Sequence, residues 1–396
     1  MRVYADNAAT TKVSAKALEA MMPGLTSLYG NPSSLHEEGR EAEHELLKAR
    51  MEIAALIGAE TNEIYFTSGG SESDNWAIRE MAFRGRKKGK THLISTECEH
   101  HAVLHTLEKL EKDGFTVTYI KPLANGIIDV EKLKKAIKPE TALVTVMYAN
   151  NEIGTIQPIK EIADICHEHD IVLHTDAVQA IGHIPVNVKE DGIDLMSFSG
   201  HKFNGPKGVG GLYVKKGIVI GNLIDGGAQE RRKRAGTENI PGIMGMAAAL
   251  RESVDEMDAE IKKVSALRDR LIDGILEKIP AVHLNGDRER RVPGNVNFCF
   301  EGIEGEALLL RLDLAGVAAS SGSACTSGSL DPSHVLLSIG IPKELAHGSL
   351  RLSFGKYNTE EDIDYILSVL PEIVKTLRLM SPVWDDENGC MKKISF

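Results

Sequence analysis

The stretch that decides the fold is "IVLHTDAVQAIG", Ile171–Gly182. Its apolar run reaches Asp176 without regular polar alternation, which is typical of a strand that helices cover on both faces of a sheet. Six other short runs share this character: "NEIYFTS" (62–68), "HLIST" (92–96), "FTVTYI" (115–120), "ALVTVMY" (142–148), "DLMSFS" (194–199) and "GGLYV" (210–214). Helical patterns such as "HAVLHTLEKLEKDG" lie between them. This alternation predicts βαβ units and an α/β fold with a mainly parallel sheet.

Two longer helical patterns flank this region. One runs from Leu35 to Ile57, where Ser34 and Glu37 form a capping box. The other runs from Ile240 to about Ile279, beyond the usual helix length, and predicts a helix that bridges two domains. The strands and helices that follow it predict a smaller α+β unit.

Composition disfavours several classes of partner. The 396 residues carry a net charge of −11, so an electrostatic footprint for nucleic acid or an anionic membrane is missing. No apolar run approaches the roughly 20 residues that span a bilayer. The N-terminus lacks the apolar core of a signal peptide. One local exception is the basic stretch "QERRKR" (229–234), which is either a solvated loop or a receiver of an anion or acidic partner.

The cysteines argue for a reducing compartment. There are five, an odd number, scattered along the chain without C-x-x-C spacing. Neither a disulfide framework nor a zinc site is therefore expected, and we predict a cytoplasmic protein without a metal. Cys98, Cys166 and Cys299 lie in or beside predicted regular elements and are expected in the core, whereas Cys390 in the polar tail is expected to be exposed.

Three motifs at strand ends carry the candidate chemistry. "TSGGSESDNW" (67–76) leads from a strand into a helix and suits a phosphate, or is simply a capped turn with Ser71 and Asp74 as its capping box. Asp176 after its strand is either a helix N-cap or a partner for a protonated heterocyclic nitrogen. Lys202 in "SFSGHKFNGPKG" (197–208) is either a solvated lysine or a Schiff-base amine.

Taken together, the three motifs favour one cofactor. Pyridoxal 5'-phosphate needs a phosphate loop, a carboxylate for its pyridine nitrogen and a lysine for its aldehyde. A dinucleotide fold is disfavoured because no G-x-G-x-x-G follows a first strand, and no P-loop is present.

The motifs also identify a family. The chain resembles the cysteine desulfurases of the class V aminotransferase group, which are fold type I pyridoxal-phosphate enzymes, and within them the nitrogen-fixation and iron–sulfur-cluster branch. The likeness covers nearly the whole chain, and its motifs are "DNAATT", "YGNPSSLH", "FTSGGSESDN", "EHHAVL", "ANNEIGT", "HTDAVQAIG", "SFSGHKFNGPKG", "RAGTEN", "SSGSACTSGS" and "ELAHGSLRLSFGKYNTEEDID".

The resemblance implies a two-domain enzyme with a known kind of site. It implies a large cofactor-binding domain over 14–255, with a seven-stranded sheet. A small domain over 1–13 and 256–396 would carry a mobile loop at about 320–332. The implied cofactor-binding residues are Gly70, Ser71, His100, Asn151, Asp176, Gln179, Ser199, His201, Lys202 and Thr237.

Each residue has an implied role. Lys202 would carry the cofactor, Asp176 would pair with the pyridine nitrogen and Gln179 would contact the phenolic oxygen. Gly70, Ser71, Ser199 and His201 would bind the phosphate, with Thr237 reaching in from the other subunit of a homodimer. His100 would stack on the ring as acid/base. Asn151 and Arg351 would hold the substrate carboxylate, Arg351 in the bidentate geometry of a guanidinium.

The small residues around Cys325 complete the interpretation. In "SSGSACTSGSL" (320–330) a thiol sits on a Gly/Ser tether, which on composition alone is either an inert linker or an arm for a reactive group. The resemblance makes Cys325 the nucleophile that takes sulfur from L-cysteine as a persulfide, releases L-alanine, and hands the sulfur to an iron–sulfur scaffold or another acceptor.

Two departures and three rival interpretations accompany this hypothesis. Ser71 stands where the family commonly has threonine, which predicts altered cofactor affinity, and Asp225 and Ala228 depart from the family pattern near the expected dimer interface.

A transaminase of the same fold would give Cys325 no purpose, and selenocysteine preference stays open. A catalytically silent scaffold protein predicts loss of Lys202, Asp176 or Cys325, and all three are present.

Overall fold

The computed structural model describes residues 1–321, 331–385 and 388–392. Its strands are β1 (Val3–Tyr4), β2 (Ile64–Thr67), β3 (His92–Thr96), β4 (Thr116–Ile120), β5 (Thr141–Thr145), β6 (Val172–Asp176), β7 (Leu195–Ser199), β8 (Gly210–Val214), β9 (Val282–Leu284), β10 (Asn295–Phe300), β11 (Val317–Ala318), β12 (Ser349–Ser353), β13 (Trp384–Asp385) and β14 (Cys390–Met391). Its helices are α1 (Ala15–Leu25), α2 (Glu37–Leu56), α3 (Gly70–Arg86), α4 (His101–Lys112), α5 (Val130–Ala136), α6 (Ile159–Glu168), α7 (Ile240–Asp255), α8 (Met257–Lys278), α9 (Gly305–Leu314), α10 (His334–Ser338), α11 (Lys343–Ala346) and α12 (Glu360–Met380).

A seven-stranded sheet contains all seven strands that the sequence predicted. Its order is β2-β8-β7-β6-β5-β3-β4, and only β8 runs antiparallel to its neighbours. The α/β class with a mainly parallel sheet is therefore confirmed. Strands β2, β6 and β7 point the same way, so their carboxyl ends meet at one edge. Such an edge is where open α/β sheets bind ligands.

A second, three-stranded sheet follows in the order β12-β10-β9. One cluster of buried apolar side chains joins Val3 and Ala5 to residues of α8, α9, α12 and this sheet. Two other clusters lie around the seven-stranded sheet and the helices on its faces. The sequence-based division into domains over 14–255 and over 1–13 with 256–396 stays a prediction, and one cluster includes residues of both ranges, among them Cys299, Val335 and Leu336 from the second.

Two helix predictions need correction. The helix after Leu35 begins at Glu37, and its N-cap is His36, whose side chain accepts from Gly39 N, rather than Ser34. The long pattern from Ile240 to Ile279 is two helices, α7 and α8, which meet at Glu256. Apolar periodicity continues across that break, so periodicity alone did not predict it.

Within the described ranges, we find no helix with both the length and the apolar character needed to cross a membrane.

Candidate active site

A cavity of about 330 Å³ opens at the carboxyl edge of the large sheet. The residues that line it are Ala8, Ala9, Gly70, Ser71, Asp74, His100, Met147, Ala149, Asn151, Asp176, Val178, Gln179, Ser199, His201, Lys202 and Arg351. Of the twelve site residues predicted from the sequence, ten lie here. Thr237 does not line the cavity, and Cys325 lies outside the described residues.

One end of the cavity is built for an anion. Helix α3 begins there, and its N-cap is Gly69, which has no side chain to bond the first turn. The Ser71–Asp74 capping box is therefore wrong, and backbone N–H groups at the helix start face the cavity side. A Cβ at Gly70 would lie 2.6 Å from Val178 Cγ2, so this close approach of the backbone needs glycine. Ser199 and His201 line the same cavity.

Asp176 lies at the end of β6 as a buried carboxyl group. Its Oδ1 accepts from Val178 N at 2.9 Å. Burial raises the pKa of Asp176, while the nearby charges of His100 and Lys202 and the Val178 bond lower it. A buried carboxyl group in this position is stabilised by a cation, and a protonated ring nitrogen is one.

Asp74 lies beside Asp176 and is a second buried carboxyl group in the cavity wall. Burial, and then the negative charge of Asp176, raise its pKa well above the ordinary value. Its Oδ1 has no hydrogen-bond partner among the described residues and lies 3.6 Å from His174 Nε2. Burial lowers the pKa of His174 to about 3, so that imidazole is neutral.

Lys202 follows β7 in a short 3₁₀ turn, Gly200–Lys202. Its Nζ donates to Ala8 O at 2.6 Å and to Ala9 O at 2.8 Å, which ties the amine to the N-terminal loop. Neighbouring His201 places Nδ1 3.1 Å from Thr10 Oγ1. Burial and the charges of Lys202 and Lys207 lower the pKa of His201 to about 4, so its ring is neutral.

His100 is the N-cap of α4. Its Nδ1 accepts from Ala102 N at 3.1 Å, so a neutral ring carries its proton on Nε2. Burial is the main reason that its pKa is lowered, and the positive charge of Lys202 acts in the same direction. His101, the second histidine of "EHHAVL", contacts His334 instead, with ring centroids 4.7 Å apart.

Arg351 on β12 forms the far wall. Its Nη1 donates to Asn151 O at 2.9 Å, and its Nη2 donates to Asp6 Oδ1 at 2.9 Å. Its buried Nε has no hydrogen-bond partner among the described residues. A guanidinium with a spare buried donor in a cavity is suited to a carboxylate ligand.

The sequence did not assign roles to the N-terminal loop or to Asp74. Ala8 O also accepts from Gln179 Nε2 at 2.9 Å, and Thr11 N donates to His201 O, so this loop contacts most of the site. The motif "DNAATT" contributed to the family resemblance, but no chemical role was predicted for its residues. Glu72, the acidic residue that follows Ser71 in α3, pairs with Arg234 at 2.9 Å.

The chain on either side of the Cys325 segment lies beside the cavity. Ser320 exchanges backbone hydrogen bonds with Arg351. After the segment, Ser333 Oγ bonds Glu152, and His334 Nε2 lies 2.9 Å from Glu99 O.

The structure places the other four cysteines in two environments. Cys98, Cys166 and Cys299 are buried, as predicted, and burial raises their pKa values to about 12, 12 and 11. Cys390 is exposed, as predicted. No cluster of three or more metal-ligating side chains is present in the part of the chain that the structure describes.

Comparison with known proteins gives a family and close relatives. Residues 3–366 match the family model described as "Aminotransferase class-V". A "Cysteine desulfurase IscS" of Clostridium botulinum is 57% identical over 387 residues, 97% of each chain. A protein of the same name in Methanosarcina thermophila is 55% identical, covering 97% of this chain and 95% of that one.

Solved structures agree. A "NifS-like protein" superposes with a TM-score of 0.90 at 40% identity, covering 95% of this chain and 100% of that one. The structure titled "SspA in complex with cysteine" has a TM-score of 0.80 at 36% identity, covering 91% and 100%.

Proposed function

The chain belongs to the class-V aminotransferase family, in its branch of IscS/NifS-like cysteine desulfurases, and on that premise we propose that its cavity holds pyridoxal 5'-phosphate and converts L-cysteine into L-alanine and a persulfide on Cys325. The observation that carries the proposal is the convergence of an amine, a buried carboxyl group and a helix N-terminus on one cavity, from three separate strand ends.

The residues fit the cofactor end to end. The start of α3 with Gly70 and Ser71, together with Ser199 and His201, would hold the phosphate. Asp176 would hold the protonated pyridine nitrogen, which supplies the cation that this buried carboxyl group needs. Gln179 would contact the phenolic oxygen, Lys202 would be the point of covalent attachment, and His100 would lie against the ring.

The cofactor, when bound, accepts the electron pair of the broken Cα–H bond. The protein moves the proton. Lys202 Nζ would be the base that takes the Cα proton. His100 is poised as an acid through its Nε2 proton, since Nδ1 is committed to Ala102 N. Arg351 and Asn151 fix the substrate carboxylate and so orient the Cα–H bond.

Sulfur transfer falls to Cys325. Its thiolate attacks the substrate sulfur, so an S–S bond forms as the Cβ–S bond breaks, and the carbon skeleton leaves as L-alanine after protonation. L-Cysteine plus one thiol thus gives L-alanine plus one persulfide, with no external oxidant. The anchoring of Ser320 on Arg351 and of Ser333 on Glu152 supports this, because both ends of the Cys325 segment start beside the substrate.

The working unit we propose is a homodimer. Thr237 is exposed and outside its own cavity, so it is free to serve the phosphate site of a second copy. Large apolar side chains on α1, α2 and the connection between them are exposed, namely Leu18, Met22, Leu25, Tyr29, Leu35, Leu47 and Met51. The acceptor as an iron–sulfur scaffold or other sulfur carrier, and the cytoplasmic location, stay predictions.

The test compares wild type with Cys325→Ala and Lys202→Ala in the presence of L-cysteine, with and without reductant. Cys325→Ala should keep cofactor absorbance and yield no persulfide or sulfide. Lys202→Ala should show no cofactor adduct by mass spectrometry after borohydride reduction. Cys390→Ala, which removes the exposed cysteine near the C-terminus, is the matched control and should behave like wild type. Sulfide release by Cys325→Ala at the wild-type rate would contradict the proposal.

A further inference from the structure

Arg351 already has a carboxylate partner before any substrate binds. The side chain of Arg351 is 4% exposed, and that of Asp6 is 22% exposed. Their 2.9 Å contact is a charge-assisted hydrogen bond, Nη2 to Oδ1. A substrate carboxylate that binds Nε must therefore share one guanidinium with a second anion.

Arg351 does not depend on Asp6 for its position. It lies within β12, paired with Asn297 of β10, and its backbone bonds Ser320. Its Nη1 is fixed on Asn151 O. Removing the charge of Asp6 would thus leave the guanidinium in place and change mainly its electrostatic environment.

Asp6 is held equally well from its own side. Its backbone bridges Ser353, and Tyr4 OH donates to Asp6 O at 3.1 Å. The other carboxyl group near Arg351 is Glu152, which is buried and bonded to Ser333. Among the described residues, Asp6 is the carboxylate that Arg351 contacts directly.

We propose that Asp6 sets the affinity of the site for amino-acid carboxylates, acting through Arg351 by competing with the carboxylate of the amino acid for the guanidinium. The inference rests on the proposed function, which places that carboxylate on Arg351. Like charges on one cation repel, so Asp6 weakens the binding of substrate and product alike. Because this weakening applies equally to substrate, product and transition state, it speeds the release of L-alanine. It does not selectively lower the affinity for the transition state.

The test measures L-alanine binding to the cofactor-loaded enzyme by calorimetry and by the absorbance of the bound cofactor. Asp6→Asn keeps the size and an acceptor oxygen but removes the charge, and should bind L-alanine about tenfold more tightly, a change of about 1.4 kcal/mol. Ethylamine, which is L-alanine without its carboxylate, should bind both proteins equally. Asp313→Asn, which breaks the exposed Arg2–Asp313 pair, is the control and should match wild type.

Steady-state kinetics give a second measurement. The KM for L-cysteine should fall in Asp6→Asn while kcat does not rise, because product release is slowed. If Asp6→Asn unfolds at a lower temperature than wild type, Asp6→Ser carries the same expectation. Unchanged or weaker L-alanine binding in the folded variant overturns the inference. A wild-type protein that takes up no cofactor overturns the proposed function, and the inference with it.

Discussion

At the scale of single residues, three buried carboxyl groups lie in or next to the cavity wall: Asp74 and Asp176 line it, and Glu99 precedes His100, which lines it. Burial raises the pKa of Asp74, Asp176 and Glu99. Nearby groups compensate two of them: the charges of His100 and Lys202 for Asp176, and hydrogen bonds from Thr96 Oγ1 and Met147 N for Glu99. Groups shifted in this way cluster at functional sites.

Glu99 makes stability depend on pH. Burial, and to a lesser degree the charge of Asp176, raise the pKa of Glu99 from 4.5 to about 8. Below pH 4.5 both folded and unfolded chains keep this proton. Between about 4.5 and 8 only the unfolded chain releases it, so folded wild type loses stability as the pH rises. Relative to Glu99→Gln, the loss should approach about 1.4 kcal/mol per pH unit.

Urea unfolding of wild type and Glu99→Gln at pH 5.5, 6.5 and 7.5 measures this difference. Glu108→Gln, an exposed position on the next helix, corrects for general charge effects. A stability difference between wild type and Glu99→Gln that is constant across these pH values would show that Glu99 is not protonated in the folded protein.

At the scale of elements, the sequence predicted the strands better than the helix ends. All seven strands of the large sheet lie where their apolar runs are, because burial on both faces leaves few alternatives. The start of α2 was misplaced, since His36 caps it through a ring nitrogen that capping-box statistics do not include. At the start of α3 two alternatives stayed open, because a phosphate loop and a capped turn share the same small polar residues, and the N-cap at Gly69 contradicts the Ser71–Asp74 capping box.

The basic stretch 229–234 contains an acidic residue whose role the sequence did not predict. Its Glu230 is buried and accepts from Arg50 at 2.6 and 2.8 Å and from Phe66 N at 3.0 Å. Around it, Glu230, Arg231 and Arg232 have φ of 46°, 57° and 65°, a left-handed turn that costs roughly 1–2 kcal/mol per non-glycine residue. Composition alone did not predict that Glu230 is a buried acidic anchor within a basic loop.

Removal of this anchor should be costly. Glu230→Ala leaves the Arg50 guanidinium buried without its partner, so unfolding free energy should fall by about 3–5 kcal/mol. Urea denaturation checks this, with Asp313→Ala in an exposed ion pair as the control, expected to cost less than about 1 kcal/mol. The double variant Arg50→Met/Glu230→Leu should recover much of the loss. A Glu230→Ala cost no larger than the control would show that the pair does not hold the turn.

At the scale of the whole molecule, the site is assembled from distant parts of the chain. Strand-end motifs predicted Lys202, Asp176 and the α3 phosphate end, because carboxyl ends of neighbouring strands meet. Asp6 contacts Arg351, which lies 345 residues away along the chain, and Ala8 contacts Lys202, which lies 194 residues away. No local sequence pattern reveals these contacts. Contacts between remote segments depend on tertiary packing, which periodicity and propensity do not encode.

The last prediction concerns the second copy of the chain. Large apolar side chains are exposed on both helices, namely Leu18 and Met22 on α1 and Leu47 and Met51 on α2. Exposed apolar side chains that form a contiguous surface mark a protein interface, and we propose that α1 and α2 form the interface of the dimer. Leu47→Glu/Met51→Glu would bury charges without partners in that interface, and should shift the protein from dimer to monomer by sedimentation velocity.

The same variant tests whether the dimer completes the active site. Because Thr237 of a second copy is proposed to reach the phosphate, the monomer should bind pyridoxal 5'-phosphate at least about tenfold more weakly, a loss of about 1.4 kcal/mol. Leu314→Glu, which introduces the same charge at an exposed leucine of α9, should leave both the dimer and cofactor affinity as in wild type. A monomeric variant with wild-type cofactor affinity would contradict the role of Thr237, whereas a variant that stays dimeric would place the interface elsewhere on the molecule.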